Sequence, residues 1–89
     1  MRLHVTIQGR VQGVGYRYFV IQTAQKLGIT GWVRNCANRD VESEAQGSEN
    51  LVEEFLKQIK TGHPWARIDR IVKETITAQA GEKNFELRY

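Results

Sequence analysis

The first 27 residues change from a strand pattern to a helix pattern across a glycine-rich turn, which constrains the fold more than any other feature. Leu3, Val5 and Ile7 alternate with polar residues, the period of a half-buried strand. Apolar residues then recur at steps of three and four, as they do on one face of a helix. We therefore predict a strand over Met1–Gln8, a turn, and a helix over Tyr16–Leu27.

The turn between them, which we call the glycine loop (residues 9–17), has the composition of an anion site. Gly9, Gly13 and Gly15 can each adopt a positive φ at no steric cost. Such a turn can direct successive backbone N–H groups at one point, beside the first N–H groups of a helix, which lack intrahelical partners. An anion is the natural ligand of these donors.

Arg17 strengthens this interpretation. It lies in the first turn of the predicted helix, where a cation opposes the helix dipole by about 0.3–1 kcal/mol. A guanidinium beside a ring of N–H donors is understandable if a phosphate-like dianion lies between them. The alternative is a solvated surface arginine.

Two common phosphate loops are excluded. No Lys-Ser or Lys-Thr follows the glycines, as a Walker A loop requires, and Tyr18 stands where the dinucleotide-binding fingerprint needs glycine. The stretch instead resembles the signature of the acylphosphatase family, G-x-V-x-G-V-x-F/Y-R. It matches at Gly9, Val11, Gly13, Val14, Tyr16 and Arg17.

A second match lies further along the chain. The segment Gly31–Asn35 reads Gly-Trp-Val-Arg-Asn and resembles the family's G-W-V-R/K-N. The resemblance implies that Asn35 positions the attacking water; taken alone, Asn35 would read as a turn residue. The family usually continues with an Asp-Gly hairpin turn, whereas this chain has Asn38 and Arg39. Arg39 can adopt the left-handed conformation only at a cost.

The order of elements predicts an α+β fold. Further strands are expected over 29–35, 41–46, 68–76 and 85–89, with a bulge possible where Ile71 and Val72 stand together. A second helix begins after Ser48, a good N-cap, and ends at Gly62. The order βαββαβ plus a terminal strand fits a ferredoxin-like sandwich, an antiparallel sheet with two helices on one face. Residues 1–89 are expected to form one domain.

The resemblance implies an enzyme that hydrolyses the carboxyl–phosphate anhydride of acyl phosphates. Backbone N–H groups and the Arg17 guanidinium would bind the phosphoryl oxygens, and the Asn35 side chain would orient water. The N–H donors would be those of Gly13, Val14, Gly15, Tyr16 and Arg17. Inorganic phosphate would be product and competitive inhibitor. No cofactor is implied, and no metal, because the acids show no ligand spacing.

Charge and cysteine content set the remaining expectations. The net charge of +3 and pI near 9.3 favour acidic ligands. A single cysteine, Cys36, excludes an internal disulfide, and no apolar run is long enough to span a bilayer. We expect a cytoplasmic monomer that binds neither membrane nor nucleic acid.

Three residues invite other interpretations. Cys36 could be a nucleophile, but no histidine lies near it in sequence, which favours a passive thiol. His63 belongs to a turn that resembles the family's G-P-x-x-A-R-V, and it is expected to be a loop residue. Trp65 is expected to cover the edge of the core, or else to stack on a ligand.

Two other classes of function stay open at the level of the sequence. Ferredoxin-like sheets also form RNA-recognition domains, but the expected third strand is acidic and lacks the aromatic stretch that they need. A related phosphate loop occurs in a domain of hydrogenase-maturation proteins. A chain of 89 residues that begins with methionine favours the free enzyme.

Overall fold

The chain folds into five strands and two helices, in the order that the sequence predicts. The computed structural model describes all 89 residues. The elements are β1 (Arg2–Arg10), α1 (Tyr16–Leu27), β2 (Thr30–Asn35), β3 (Val41–Gln46), α2 (Glu49–Thr61), β4 (Arg67–Ile76) and β5 (Phe85–Arg88). The bounds of α1 and β3 are those predicted. Ser48 caps α2 as expected, because its hydroxyl accepts a hydrogen bond from the N–H of Leu51.

The strands form one sheet in the order β4-β1-β3-β2-β5. The first four strands pair antiparallel, as the ferredoxin-like prediction requires. Strand β5, predicted only as a terminal strand, adds to the edge in parallel with β2. The carboxyl ends of β1 and β2 therefore meet at the same end of the sheet, beside the start of α1.

Alternation along the strands places the core on the helix side of the sheet. Leu3, Val5 and Ile7 are buried, whereas the residues between them are only half-buried. In register, Ile7 lies beside Val41, and Val41 lies beside Asn35. Residues directly opposite each other share a face, so Asn35 belongs to the helix side. This parity aims its side chain at the start of α1 rather than at solvent.

A bulge shapes the end of β1. The register with β4 shifts between Gln8 and Gly9, which leaves Asp69 without a partner strand residue. The expected bulge therefore exists in β4, but earlier than at Ile71. Gly9 has φ 145°, and a Cβ there would collide with the carbonyl oxygen of Arg67. Only glycine fits this close approach, and it allows β1 to continue to Arg10.

One expectation about the surface is wrong. Trp65 is 75% exposed and does not cover the core, because the turn before β4 turns its ring outward beside His63. Neither helix is long and apolar enough to cross a membrane.

Candidate active site

The glycine loop leads into the start of α1 in a conformation that leaves its N–H groups free. Gly13 and Gly15 both have φ 76°, while Val14 between them does not have a positive φ. Such an alternation turns successive N–H groups toward one side and forms a concave anion site. A Cβ at either glycine would meet nothing within 4 Å, so backbone conformation, rather than crowding, favours glycine here.

The helix start has no internal cap. Gly15 is the N-cap residue, it has no side chain to accept from the first turn, and no acid lies in that turn. The backbone N–H groups of residues 13–17 donate to no other group of the protein. Unpaired donors at a helix N-terminus carry partial positive charge, so the site is suited to bind an anion without a metal ion.

Arg17 and Asn35 line the same pocket as these donors. The pocket has a volume of about 120 Å³ and is formed by Val11, Gln12, Gly13, Gly15, Tyr16, Arg17, Tyr18 and Asn35. Arg17 is half-buried and forms no ion pair. Its guanidinium carbon lies 5.7 Å from the centre of the Tyr89 ring, a distance at which the ring attracts the cation. The two motifs predicted to cooperate are therefore adjacent in space.

Asn35 carries the clearest sign of a missing partner. Its Oδ1 atom is buried and accepts no hydrogen bond from the protein. A buried acceptor left unpaired costs roughly 1–3 kcal/mol, so such atoms are rare in folded proteins. No other buried side-chain polar atom of the chain is unpaired. A residue with one unused acceptor thus lines the same pocket as a cluster of unused donors.

The hairpin that bears Asn35 is attached to the glycine loop by Gln12. The Gln12 side-chain amide donates to the carbonyl oxygens of Cys36, at 3.0 Å, and of Asp40, at 2.9 Å. The N–H of Cys36 closes the turn by donating to Asp40, at 2.8 Å. These bonds hold loop and hairpin in one arrangement even though Arg39, at φ 76°, has the costly conformation anticipated from its position.

Tyr16 anchors the start of α1. Its ring is buried, and its hydroxyl donates a 2.7 Å hydrogen bond to the carbonyl oxygen of Ile59 in α2. Burial raises the pKa of this phenol well above its ordinary value, so it stays protonated and a donor. The sequence placed Tyr16 on the apolar face of the helix but gave no sign of this bond.

The surroundings of Cys36 and His63 favour structural roles over catalytic ones. Burial, followed by the negative charge of Glu42, raises the pKa of the Cys36 thiol, which therefore stays protonated and weakly nucleophilic at neutral pH. The Nδ1 atom of His63 accepts from the N–H groups of Trp65 and Ala66, at 3.2 and 3.1 Å. His63 therefore holds the turn before β4.

The pocket includes most of the residues proposed from the sequence. Gly13, Gly15, Tyr16, Arg17 and Asn35 all line it, whereas Val14 packs against the core from the loop. Sequence reasoning missed the bracing role of Gln12, because a glutamine in a loop carries no pattern that names its partner. No group of three or more His, Cys, Asp or Glu residues is arranged to hold a metal ion.

The sequence and the fold of this chain are both similar to those of known proteins. A family model described as Acylphosphatase matches residues 3–87. A protein named acylphosphatase from Clostridium beijerinckii is 45% identical over 89 residues, which cover 100% of this chain and 99% of that protein. The crystal structure of acylphosphatase from Bacillus subtilis superposes with a TM-score of 0.93 at 35% identity, over 99% of this chain and 98% of that one.

A longer protein contains a similar unit. The crystal structure of full-length HypF in its phosphate- and nucleotide-bound form matches with a TM-score of 0.86 at 31% identity. The match covers 99% of this chain but only 12% of that one. The same fold thus occurs both as a protein of this length and as part of a larger protein.

Proposed function

The chain belongs to the acylphosphatase family and hydrolyses acyl phosphates, and we propose that Arg17 binds the phosphoryl group while Asn35 orients the water that attacks it. The observation that carries this proposal is the buried, unpartnered Oδ1 of Asn35, a residue that lines the same pocket as Arg17. The substrate is a small molecule, and the products are a carboxylate and inorganic phosphate. A cytoplasmic location and a monomeric state are further parts of the proposal.

Phosphoryl binding rests on the donors of the glycine loop. The free N–H groups of residues 13–17 surround the phosphoryl oxygens, and the guanidinium of Arg17 adds two donors in a fixed fork. These donors exist before the substrate arrives, so they stabilise the charge that builds on the oxygens during transfer without reorganisation.

Orientation of the nucleophile rests on Asn35. A water that donates one O–H to Oδ1 would satisfy the orphaned acceptor and direct a lone pair at phosphorus. The water oxygen forms a bond to phosphorus while the bond from phosphorus to the carboxyl oxygen breaks. The bonding electrons leave on the carboxylate, and the water's proton passes to phosphate or solvent. Because a carboxylate is a good leaving group, the step requires no strong general base.

Asn35→Ala and Arg17→Ala separate the two roles. Asn35→Ala should lower kcat for benzoyl phosphate by on the order of 10²-fold, because the water loses its near-attack position. It should still bind inorganic phosphate, since a neutral amide adds little affinity for a dianion. Arg17→Ala should lose both turnover and phosphate binding.

Calorimetric titration of inorganic phosphate into both variants tests whether the two residues have these separate roles. If phosphate affinity falls equally in both, Asn35 is a phosphate-binding residue, and another group must position the water. Unchanged turnover in Asn35→Ala would contradict its role altogether.

A further inference from the structure

A second basic site lies against the glycine loop, outside the phosphoryl pocket. It is a groove of about 560 Å³, lined by residues 9–12 together with Arg39, Arg67 and Asp69. Three elements each supply one arginine to it, namely the end of β1, the β2–β3 hairpin and the start of β4: Arg10, Arg39 and Arg67.

The groove carries an excess of positive charge. Asp69 is the one acid among its lining residues, and it pairs with Arg67 at 3.0 Å. Both side chains of that pair are more than half exposed, so water screens their attraction strongly. Arg10 and Arg39 form no ion pair. Their guanidinium groups are free to bind an anion.

Two features of the groove lower the stability of the fold, so their presence needs an explanation other than stability. Arg39 holds φ 76°, and it is the only residue other than glycine with a positive φ. Glycine would adopt this conformation without strain. Arg10 and Arg67 stand directly opposite each other in the β1–β4 register, where like charges repel. Backbone strain of this kind is found more often at functional sites, and a bound anion would offset the repulsion between the two arginines.

The groove adjoins the phosphoryl pocket. Val11 and Gln12 line both, so one short segment of the loop separates the two. Arg10 and Gly13 are three residues apart, so their Cα atoms lie at most about 10 Å from each other. One small molecule can therefore reach both.

We propose that this groove is a second anion subsite, which binds a carboxylate or phosphate on the acyl part of the substrate. The inference rests on the proposed function, because the phosphoryl group of the same molecule must occupy the neighbouring pocket. It selects acyl phosphates with a second anionic group over those with an apolar acyl group. The shared chemistry is a compact anion held by two or three guanidinium groups.

Benzoyl phosphate and its ring-carboxylated analogues test the proposal, because they differ only in the second charge. Carboxylates at the 3 and 4 positions sample two distances from the phosphoryl group. The wild type should show a kcat/KM about threefold to tenfold higher for the better-placed analogue than for benzoyl phosphate, mainly through KM. This ratio should fall toward one at high salt, since both partners are partly exposed.

Arg39→Gly is the most informative variant, because it removes the side chain and the backbone strain together. It should fold at least as stably as the wild type in a thermal melt, while the preference for the carboxylated substrate falls. Arg10→Ala and Arg67→Ala should reduce the preference as well. Arg70→Ala is the matched control: it removes an exposed arginine of β4 outside the groove and should leave the ratio unchanged.

The outcomes distinguish this inference from the function on which it rests. If benzoyl phosphate is hydrolysed but the ratio is the same in the wild type and in all three groove variants, the subsite does not exist. An equal drop of the ratio in Arg70→Ala would mean that overall charge matters rather than the groove, and would also overturn the proposal. If the wild type hydrolyses neither substrate, the proposed function fails, and this inference fails with it.

Discussion

In the proposed mechanism, Arg17 contributes through its geometry as well as its charge. It lies in the first helical turn and lines a pocket that already contains free N–H donors, where its planar fork can bind two phosphoryl oxygens in a fixed geometry. Arg17→Ala should lower kcat/KM by on the order of 10²-fold or more, by analogy with the loss of an oxyanion donor. Arg17→Lys should recover little of this loss, because an ammonium keeps the charge without the fork.

Steady-state kinetics of the two variants with benzoyl phosphate provide the measurement. Arg70→Ala serves for comparison, since Arg70 is an exposed arginine of β4 outside this pocket, and its loss should cost much less. Full activity in Arg17→Lys would show that charge alone is sufficient and that the geometric argument is wrong.

For single residues, the sequence predicted which side chains belong to the site better than it predicted their burial and hydrogen-bond partners. The motif around Arg17 and the segment ending at Asn35 predicted residues that do lie together in one pocket. The unpaired Oδ1 of Asn35 could not be predicted, because it depends on what every neighbouring group fails to donate. Trp65 illustrates the same limit: its large apolar ring suggested burial, but the path of the turn leaves it in solvent.

Between elements, the connection between the glycine loop and the β2–β3 hairpin determines where Asn35 stands. Gln12 supplies both side-chain hydrogen bonds of this connection. Gln12→Ala should therefore lower kcat by about tenfold, because even a shift of about 1 Å in a positioning group can cost 10²-fold. Affinity for inorganic phosphate should change little, since the N–H donors of the loop remain. Gln12→Glu should be worse, because a carboxylate would face two carbonyl oxygens.

Turnover and phosphate inhibition measured on the same samples check this expectation. The control is Gln25→Ala, which removes a glutamine from the exposed surface of α1. A parallel loss of kcat and phosphate affinity in Gln12→Ala would mean that Gln12 shapes the anion site itself rather than the position of Asn35.

Local patterns predicted the elements themselves closely. The change from period two to period 3.6 located α1 at its observed residues, and the capping serine located the start of α2. The bulge was expected near Ile71 but lies at Asp69, because its position depends on how Gly9 passes the backbone of β4. Such cross-strand fits are long-range properties that no single stretch of sequence records.

Across the whole molecule, the sheet order explains why distant motifs meet. Strands β1 and β2 run the same way on either side of β3, so their carboxyl ends lie together, with the glycine loop above them. The βαββαβ order predicted the ferredoxin-like sheet in which these ends meet. It did not predict that β5 would add in parallel beside β2, because the direction of a terminal strand depends on the path of the segment before it.

A buried ion pair fastens that last segment to the rest of the sheet. Arg2 has a fully buried side chain, and its Nη1 atom donates to Glu82 at 2.7 Å. The same guanidinium bonds to Glu44 and Gln46 on β3. Glu82 precedes β5, so this cluster joins the first strand, the middle of the sheet and the chain that leads to the last strand.

The cluster predicts how stability depends on pH. Burial alone would raise the pKa of Glu82, but the hydrogen bonds from Arg2 and the nearby positive charges outweigh it and hold that pKa below its usual value. A carboxyl group with a lowered pKa contributes its full stability above its unfolded pKa, near 4.5, and loses it as the pH falls through the folded value. The free energy of unfolding should therefore decrease below about pH 4.5.

Urea unfolding from pH 7 to pH 3 compares the wild type with Glu82→Gln. The variant should be less stable at pH 7 by about 1–3 kcal/mol, because Arg2 keeps Glu44 but loses a charged partner. Its stability should also fall less steeply in acid. Some dependence should remain, because the pKa of Glu42 is lowered in the same way: burial alone would raise it, but the hydrogen bonds from His4 and Arg34 outweigh that effect. Glu86→Gln, at an exposed position without an ion pair, should behave as the wild type. An acid dependence as steep in Glu82→Gln as in the wild type would show that the cluster does not couple protonation to folding.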